Sequence, residues 1–232
     1  MAKHIGIVAC SVEGAALCYR TIGVEGEKYL GRHAHPEISL HTHPLGEYMK
    51  SIEAADWDGV ARLMLDSVGK VAAIGAEFAV CPDNTIHQAF ELVQPRSPIP
   101  WLHIAEVVAQ EAQRHRFHKV GVLGTRFLME GPVYPPKLND LNIECAIPEE
   151  TERIRINQII FDELVYGRIL ESSRRYFYEV IQRLKENGCD AVALSCTEIP
   201  LIVEPEASPL PTLDSTRLLA RAALRHAVEG KS

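Results

Sequence analysis

Basic residues are the minority charge. Lys and Arg number 24 against 31 Asp and Glu in 232 residues, for a formal net charge of −7. Nucleic acid or an anionic membrane calls for a basic face, so neither is expected as a partner. Long apolar runs are missing as well, none approaching the ~20 residues of a membrane-spanning helix. Met1-Ala2-Lys3-His4 leads straight into a strand-like run with no signal-peptide core, so a cytoplasmic chain is expected. Cysteine is sparse and scattered, at Cys10, Cys18, Cys81, Cys145, Cys189 and Cys196, never as Cys-x-x-Cys. That excludes a disulfide scaffold or a zinc ribbon and reads as free thiols. Neither Gly-x-Gly-x-x-Gly nor a P-loop occurs, and Gly121-x-x-Gly124 is not a dinucleotide fingerprint. No lysine is marked as a pyridoxal phosphate anchor. No cofactor is expected.

What is present is an alternation of short apolar strands and helical stretches. Ile5–Ala9, Ile38–Leu40, Phe78–Val80, Val120–Leu123 and Ala191–Leu194 read as strands, with Ile143–Ile147 a weaker sixth. Between them, Val60, Leu63, Met64, Val68 and Val71 recur at helical spacing. So do Ile104, Val107, Val108 and Ala112, and Leu218, Leu219, Ala222 and Ala223 after a candidate N-cap at Asp214. Near-continuous apolar strands separated by helices predict an α/β fold with mainly parallel sheets flanked by helices.

The chain also repeats itself. Gly75–Thr85 lies over Gly188–Glu198 at an offset of 113 residues. Each copy reads glycine, small residue, acid, apolar strand, polar cluster. His4–Val8 lies over Lys119–Leu123, and Pro100-Trp101-Leu102 over Pro211-Thr212-Leu213, at nearly the same offset. Three matched blocks in one order predict two pseudo-symmetric lobes. The Pro-rich connectors Pro95–Pro100 and Val203–Pro211 are the natural crossings, giving residues 1–98 plus 212–232 as lobe 1 and 99–211 as lobe 2.

Ligands of open parallel sheets sit beyond the carboxyl ends of strands. The repeat puts Asp83-Asn84-Thr85 and Cys196-Thr197-Glu198 at two such ends, with an active site expected in the cleft between the lobes. Helices starting after each cluster would offer free N–H groups which, with Asn84, Thr85 and Thr197, make an anion cradle. A carboxylate held between two acid/base groups suits proton removal and return at the adjacent carbon.

These residues carry a resemblance. Ile5-Gly6-Ile7, Ser11-Val12-Glu13, Asp83-Asn84-Thr85-Ile86-His87, Gly121-Val122-Leu123-Gly124-Thr125, Tyr134-Pro135-Pro136-Lys137-Leu138 and, most specifically, Ser195-Cys196-Thr197-Glu198 resemble the aspartate/glutamate racemase superfamily, the cofactor-independent racemases. The resemblance covers nearly the whole chain and implies a homodimer. It also implies one cysteine from each half, one thiolate taking the α-proton while the other thiol protonates the opposite face. Cys196 fills the second position. Asp83 stands where the first cysteine is expected, with Cys81 two residues earlier. The partner of Cys196 is therefore Asp83 or Cys81, or else Cys196 works alone. Relatives with a single acid/base cysteine include arylmalonate decarboxylases and maleate isomerases.

Other residues carry two readings each. Ser11 donates to the bound carboxylate or caps the next helix. Thr125 and Arg126 end a strand, where Arg126 reaches a distal substrate carboxylate or makes a surface ion pair. His87 tunes Asp83, binds substrate or is satisfied internally, and Glu198 is a further candidate substrate contact. The resemblance implies a Tyr and a Lys near the site at Tyr134 and Lys137, a solvent-facing Lys137 being the default. His33, His35, His41 and His43 raise a zinc site, but no cysteine or acid completes a standard ligand set, and no metal is expected.

The sequence thus reads as a cofactor-independent racemase or epimerase of a small carboxylate, an amino acid such as aspartate or glutamate. The alternatives are a single-cysteine decarboxylase or cis–trans isomerase of the same superfamily, and a non-catalytic carboxylate-binding protein.

Overall fold

The computed structural model describes residues 2–229. The chain divides into two compact units, Met1–Ile104 with Thr216–Ser232, and Ala105–Ser215. The first holds β1 (Ile5–Ala9), β2 (Ile38–Thr42), β3 (Phe78–Val80) and β4 (Trp101–Leu102), in spatial order β2-β1-β3-β4. The second holds β5 (Lys119–Leu123), β6 (Glu144–Ala146), β7 (Ala191–Leu194) and β8 (Thr212–Asp214), in the order β6-β5-β7-β8. Every pairing is parallel. Helices flank both sheets. Among the described residues no helix is long and apolar enough to cross a membrane.

The units share more than strand order. Helix Trp57–Ala73 and helix Glu171–Glu186 end alike, at Gly75 (φ +103°) and Gly188 (φ +85°). Ala76 N–H donates to the Val71 carbonyl and Gly75 N–H to Ala72, while Cys189 donates to Leu184 and Gly188 to Lys185. This is the same Schellman cap at the same offset, and the left-handed residue it needs is glycine. The acid that follows has a backbone task. Glu77 Oε1 accepts the His4 N–H at 3.3 Å, and Asp190 Oδ2 accepts the Lys119 N–H at 3.1 Å, each at the head of a central strand. Gly6 and Gly121 let a helix approach each sheet, since an added Cβ would lie 2.8 Å from Val71 Cγ2 and from Leu184 Cδ1 respectively.

Three features differ from the sequence reading. β4 and β8, which the apolar-run criterion missed, pair with β3 and β7. That pairing keeps Pro95–Pro100 inside the first unit and Val203–Pro211 inside the second, and the chain passes between units after Ile104 and after Ser215. The helices after the two polar clusters are short. Asn84 is followed by a 3-10 segment, Thr85–Ala89, and the four-residue helix Phe90–Val93, where Pro95 has no N–H to continue it. Glu198 is followed by the four-residue helix Ile199–Ile202. No full helix stands behind the expected anion cradle.

Candidate active site

In each sheet the strand order reverses beside the first strand, so β1/β3 and β5/β7 are the topological switch points where such folds bind ligands. Beyond β1 and β3, Asp83 ties the two mouths together. Its Oδ2 accepts the Cys10 N–H at 2.9 Å and its Oδ1 the Ser11 N–H at 3.0 Å, and Asp83 is 9% exposed. Two oxygens are needed for that clamp, which a thiol could not make. Cys81 lies deeper, with no exposure, and its Sγ approaches the Asp83 carbonyl at 3.6 Å. Burial and then the Asp83 charge push its pKa well above the ordinary thiol range. The same two causes raise Cys18 to about 12.

Beyond β5 and β7 the arrangement differs. Cys196 is half-buried, and its thiol donates to Glu198 Oε2 at 2.9 Å. Thr197 Oγ1 donates to the same oxygen at 2.7 Å. Glu198 is 6% exposed, so a carboxyl group is carried into the strand mouth with two donors converging on one oxygen. Gly124 makes room there, as a Cβ would lie 3.0 Å from the Ser195 carbonyl oxygen.

The remaining candidates are placed as follows. Ser11 and Thr125 are matched N-caps, Ser11 Oγ accepting the Gly14 N–H and Thr125 Oγ1 the Leu128 N–H, both at 3.2 Å. Arg126 is half-exposed and its Nε contacts both Glu130 oxygens, the geometry of a surface ion pair. Lys137 pairs with Glu106 at 2.6 Å, while Tyr134 is fully buried. His87 Nδ1 meets the Asp83 carbonyl at 2.9 Å and Nε2 accepts the Ile104 N–H at 3.5 Å, so both ring nitrogens serve the fold. Asn84 is buried and Thr85 half-buried beside Asp83.

A family model described as Asp/Glu/hydantoin racemase matches residues 6–223. The chain belongs to the Asp/Glu/hydantoin racemase family. Among its relatives, the broad specificity amino-acid racemase RacX of Bacillus subtilis is 23% identical over 188 residues, covering 81% of this chain and 80% of that protein. Among solved structures, a candidate Asp/Glu racemase from Yersinia pestis is 31% identical with a TM-score of 0.90, covering 98% of this chain and all of that one. An aspartate racemase homologue from Pyrococcus horikoshii is 25% identical with a TM-score of 0.85, covering 99% of this chain and all of that one.

Two features of this racemase-family chain escaped the sequence reading. Glu198, a candidate substrate contact, also accepts the Cys196 thiol proton, a bond the sequence reading did not anticipate. His103 follows β4, is 5% exposed, and sits edge-on to His87 with ring centroids 4.7 Å apart. Its signal was available, since it is the next residue after the repeated Pro100-Trp101-Leu102 block.

Proposed function

We propose that this chain is a cofactor-independent racemase or epimerase that inverts the α-carbon of a small carboxylate, an amino acid such as aspartate or glutamate. The observation that carries the reading is the Cys196 thiol held on the Glu198 carboxylate at 2.9 Å in a member of the racemase family. The amino-acid racemase and the aspartate racemase homologue among the relatives support the substrate class.

Asp83 takes the α-proton from one face, and Cys196 delivers its thiol proton to the other. The old C–H bond breaks toward Asp83, a new C–H bond forms from S–H, and solvent resets both groups. Ordinary pKa values near 3.9 for Asp and 8.5 for Cys make carboxylate plus thiol the resting pair, which loads this direction first. In the reverse direction the Cys196 proton passes to Glu198, the thiolate takes the α-proton, and Asp83, protonated from solvent, delivers its proton to the opposite face. The full burial and raised pKa of Cys81 support Asp83 over Cys81 as the partner. Ser11, Asn84, Thr85 and Thr197 are proposed to bind the substrate carboxylate.

The test is α-hydrogen exchange in D2O with purified protein and single enantiomers of acidic, neutral and hydroxy acids. Deuterium in the product enantiomer with protium kept in residual substrate is expected. No exchange with any of them, or exchange unchanged in Cys196→Ala, overturns the reading.

The clamp on both Asp83 oxygens favours a second reading, in which Asp83 only positions the β1 mouth and Cys196 works alone as a decarboxylase or isomerase. Carbon dioxide release from a malonate, or isomerisation of a cis-diacid, without amino-acid racemisation would select it.

A further inference from the structure

Sequence spacing gives the histidines of His33–His43 no acid that completes a standard ligand set, but the fold brings one from elsewhere in the chain. His41 lies on the edge strand β2 and His43 just beyond it, so the two side chains leave on one side. Helix Trp57–Ala73 packs on β1 and β2 and brings Asp66 to them. One ligand atom from each of His41, His43 and Asp66 lies within 4.8 Å of the other two. His43 Nε2 is 2.7 Å from Asp66 Oδ2, and the two imidazoles meet edge-on at 4.9 Å.

We propose that His41, His43 and Asp66 bind a divalent transition-metal ion of the zinc, nickel or cobalt class. Two imidazoles and one carboxylate suit these ions, with water filling the open positions. A second layer of partners is in place. Ser67 Oγ holds His41 Nδ1 at 2.9 Å, and Glu47 Oε2 stands 4.0 Å from His43 Nδ1, the nitrogen turned from Asp66. Such partners fix the ring of a metal-binding histidine. Lys70 Nζ sits 2.5 Å from Asp66 Oδ2 and competes with the ion for that oxygen. A plain surface chain of His43, Asp66 and Lys70 would also pair these charges, and the role of Lys70 separates the two cases. The site shares no side chain with Cys196 or Asp83, so it stands or falls apart from the racemase reading.

The experiment titrates metal-free protein with Co2+, followed by visible absorption, and with Zn2+, followed by calorimetry. One ion per chain is expected, without a thiolate-to-cobalt charge-transfer band. His43→Gln weakens binding at least about tenfold, and Lys70→Met tightens it. Equal affinity in wild type and His43→Gln overturns the proposal. So does weaker or unchanged binding in Lys70→Met, which decides the matter even if His43→Gln fails to fold. A charge-transfer band, which puts the ion on cysteine, overturns it too.

Discussion

Cys196 donates its thiol proton to Glu198 Oε2 at 2.9 Å, two residues along the same turn after β7. The negative charge beside the sulfur favours the thiol and opposes the thiolate. Glu198→Gln removes that charge, so alkylation of Cys196 by iodoacetamide at neutral pH rises several-fold, since each pKa unit is worth about tenfold in thiolate. Peptide mapping of the alkylated site against time measures it. The same variant loses amino-acid turnover most in the direction that needs a thiolate base, because Glu198 no longer stores the proton. Slower alkylation in Glu198→Gln would contradict the charge effect and mark Glu198 as the group that removes the thiol proton.

Asp83 is tested by a variant that keeps its shape. Asn at this position retains one acceptor oxygen but turns an amide N–H toward a backbone N–H of Cys10 or Ser11. Leaving one buried donor unmet costs about 1–3 kcal/mol, read as a lower urea midpoint. On the proposed role of Asp83 as an acid/base group, its loss costs a further 10²-fold or more in racemisation. A stability loss with turnover intact would assign Asp83 to the fold alone.

The strands were legible where apolar residues run together, as in Ile5–Ala9 and Ala191–Leu194, because buried parallel strands need no polar face. β4 and β8 are two and three residues long, too short for any periodicity, and showed only as matched blocks of the repeat. The repeat also placed Asp83 over Cys196, yet it could not show that one is clamped by two backbone amides while the other bonds to Glu198. Those contacts depend on how each turn leaves its strand. Asp66 was out of reach for a similar reason, standing 23 residues from His43 and meeting it only once helix Trp57–Ala73 packs on the sheet.

A cap glycine and a helix glycine make a paired stability prediction. Gly188 has φ +85° and open space where a Cβ would go, so Gly188→Ala costs only the left-handed strain, about 1–2 kcal/mol. Gly23 lies inside helix Val12–Glu25, also with open space, and Gly23→Ala gains about 0.5–1 kcal/mol. Urea unfolding of the two variants beside wild type should move in opposite directions.

The buried thiols set the alkaline limit of the fold. Burial is the first cause raising the pKa of Cys18 to about 12 and of Cys145 to about 11, and it also raises those of Cys81 and Cys189. In the unfolded chain each ionises near pH 8.5. Above that pH the unfolded state holds fewer protons than the folded one, so stability falls as pH rises, and it is fully present below. Each thiol adds at most about 1.4 kcal/mol per pH unit to the slope. Urea midpoints measured from pH 7.5 to 10 should therefore decline, and Cys18→Ala should make the decline shallower by one proton's worth. The variant also opens a small cavity, which lowers every midpoint alike, so the slope is the quantity that decides. An unchanged slope in Cys18→Ala would mean that this thiol ionises in the folded protein as it does in the unfolded chain.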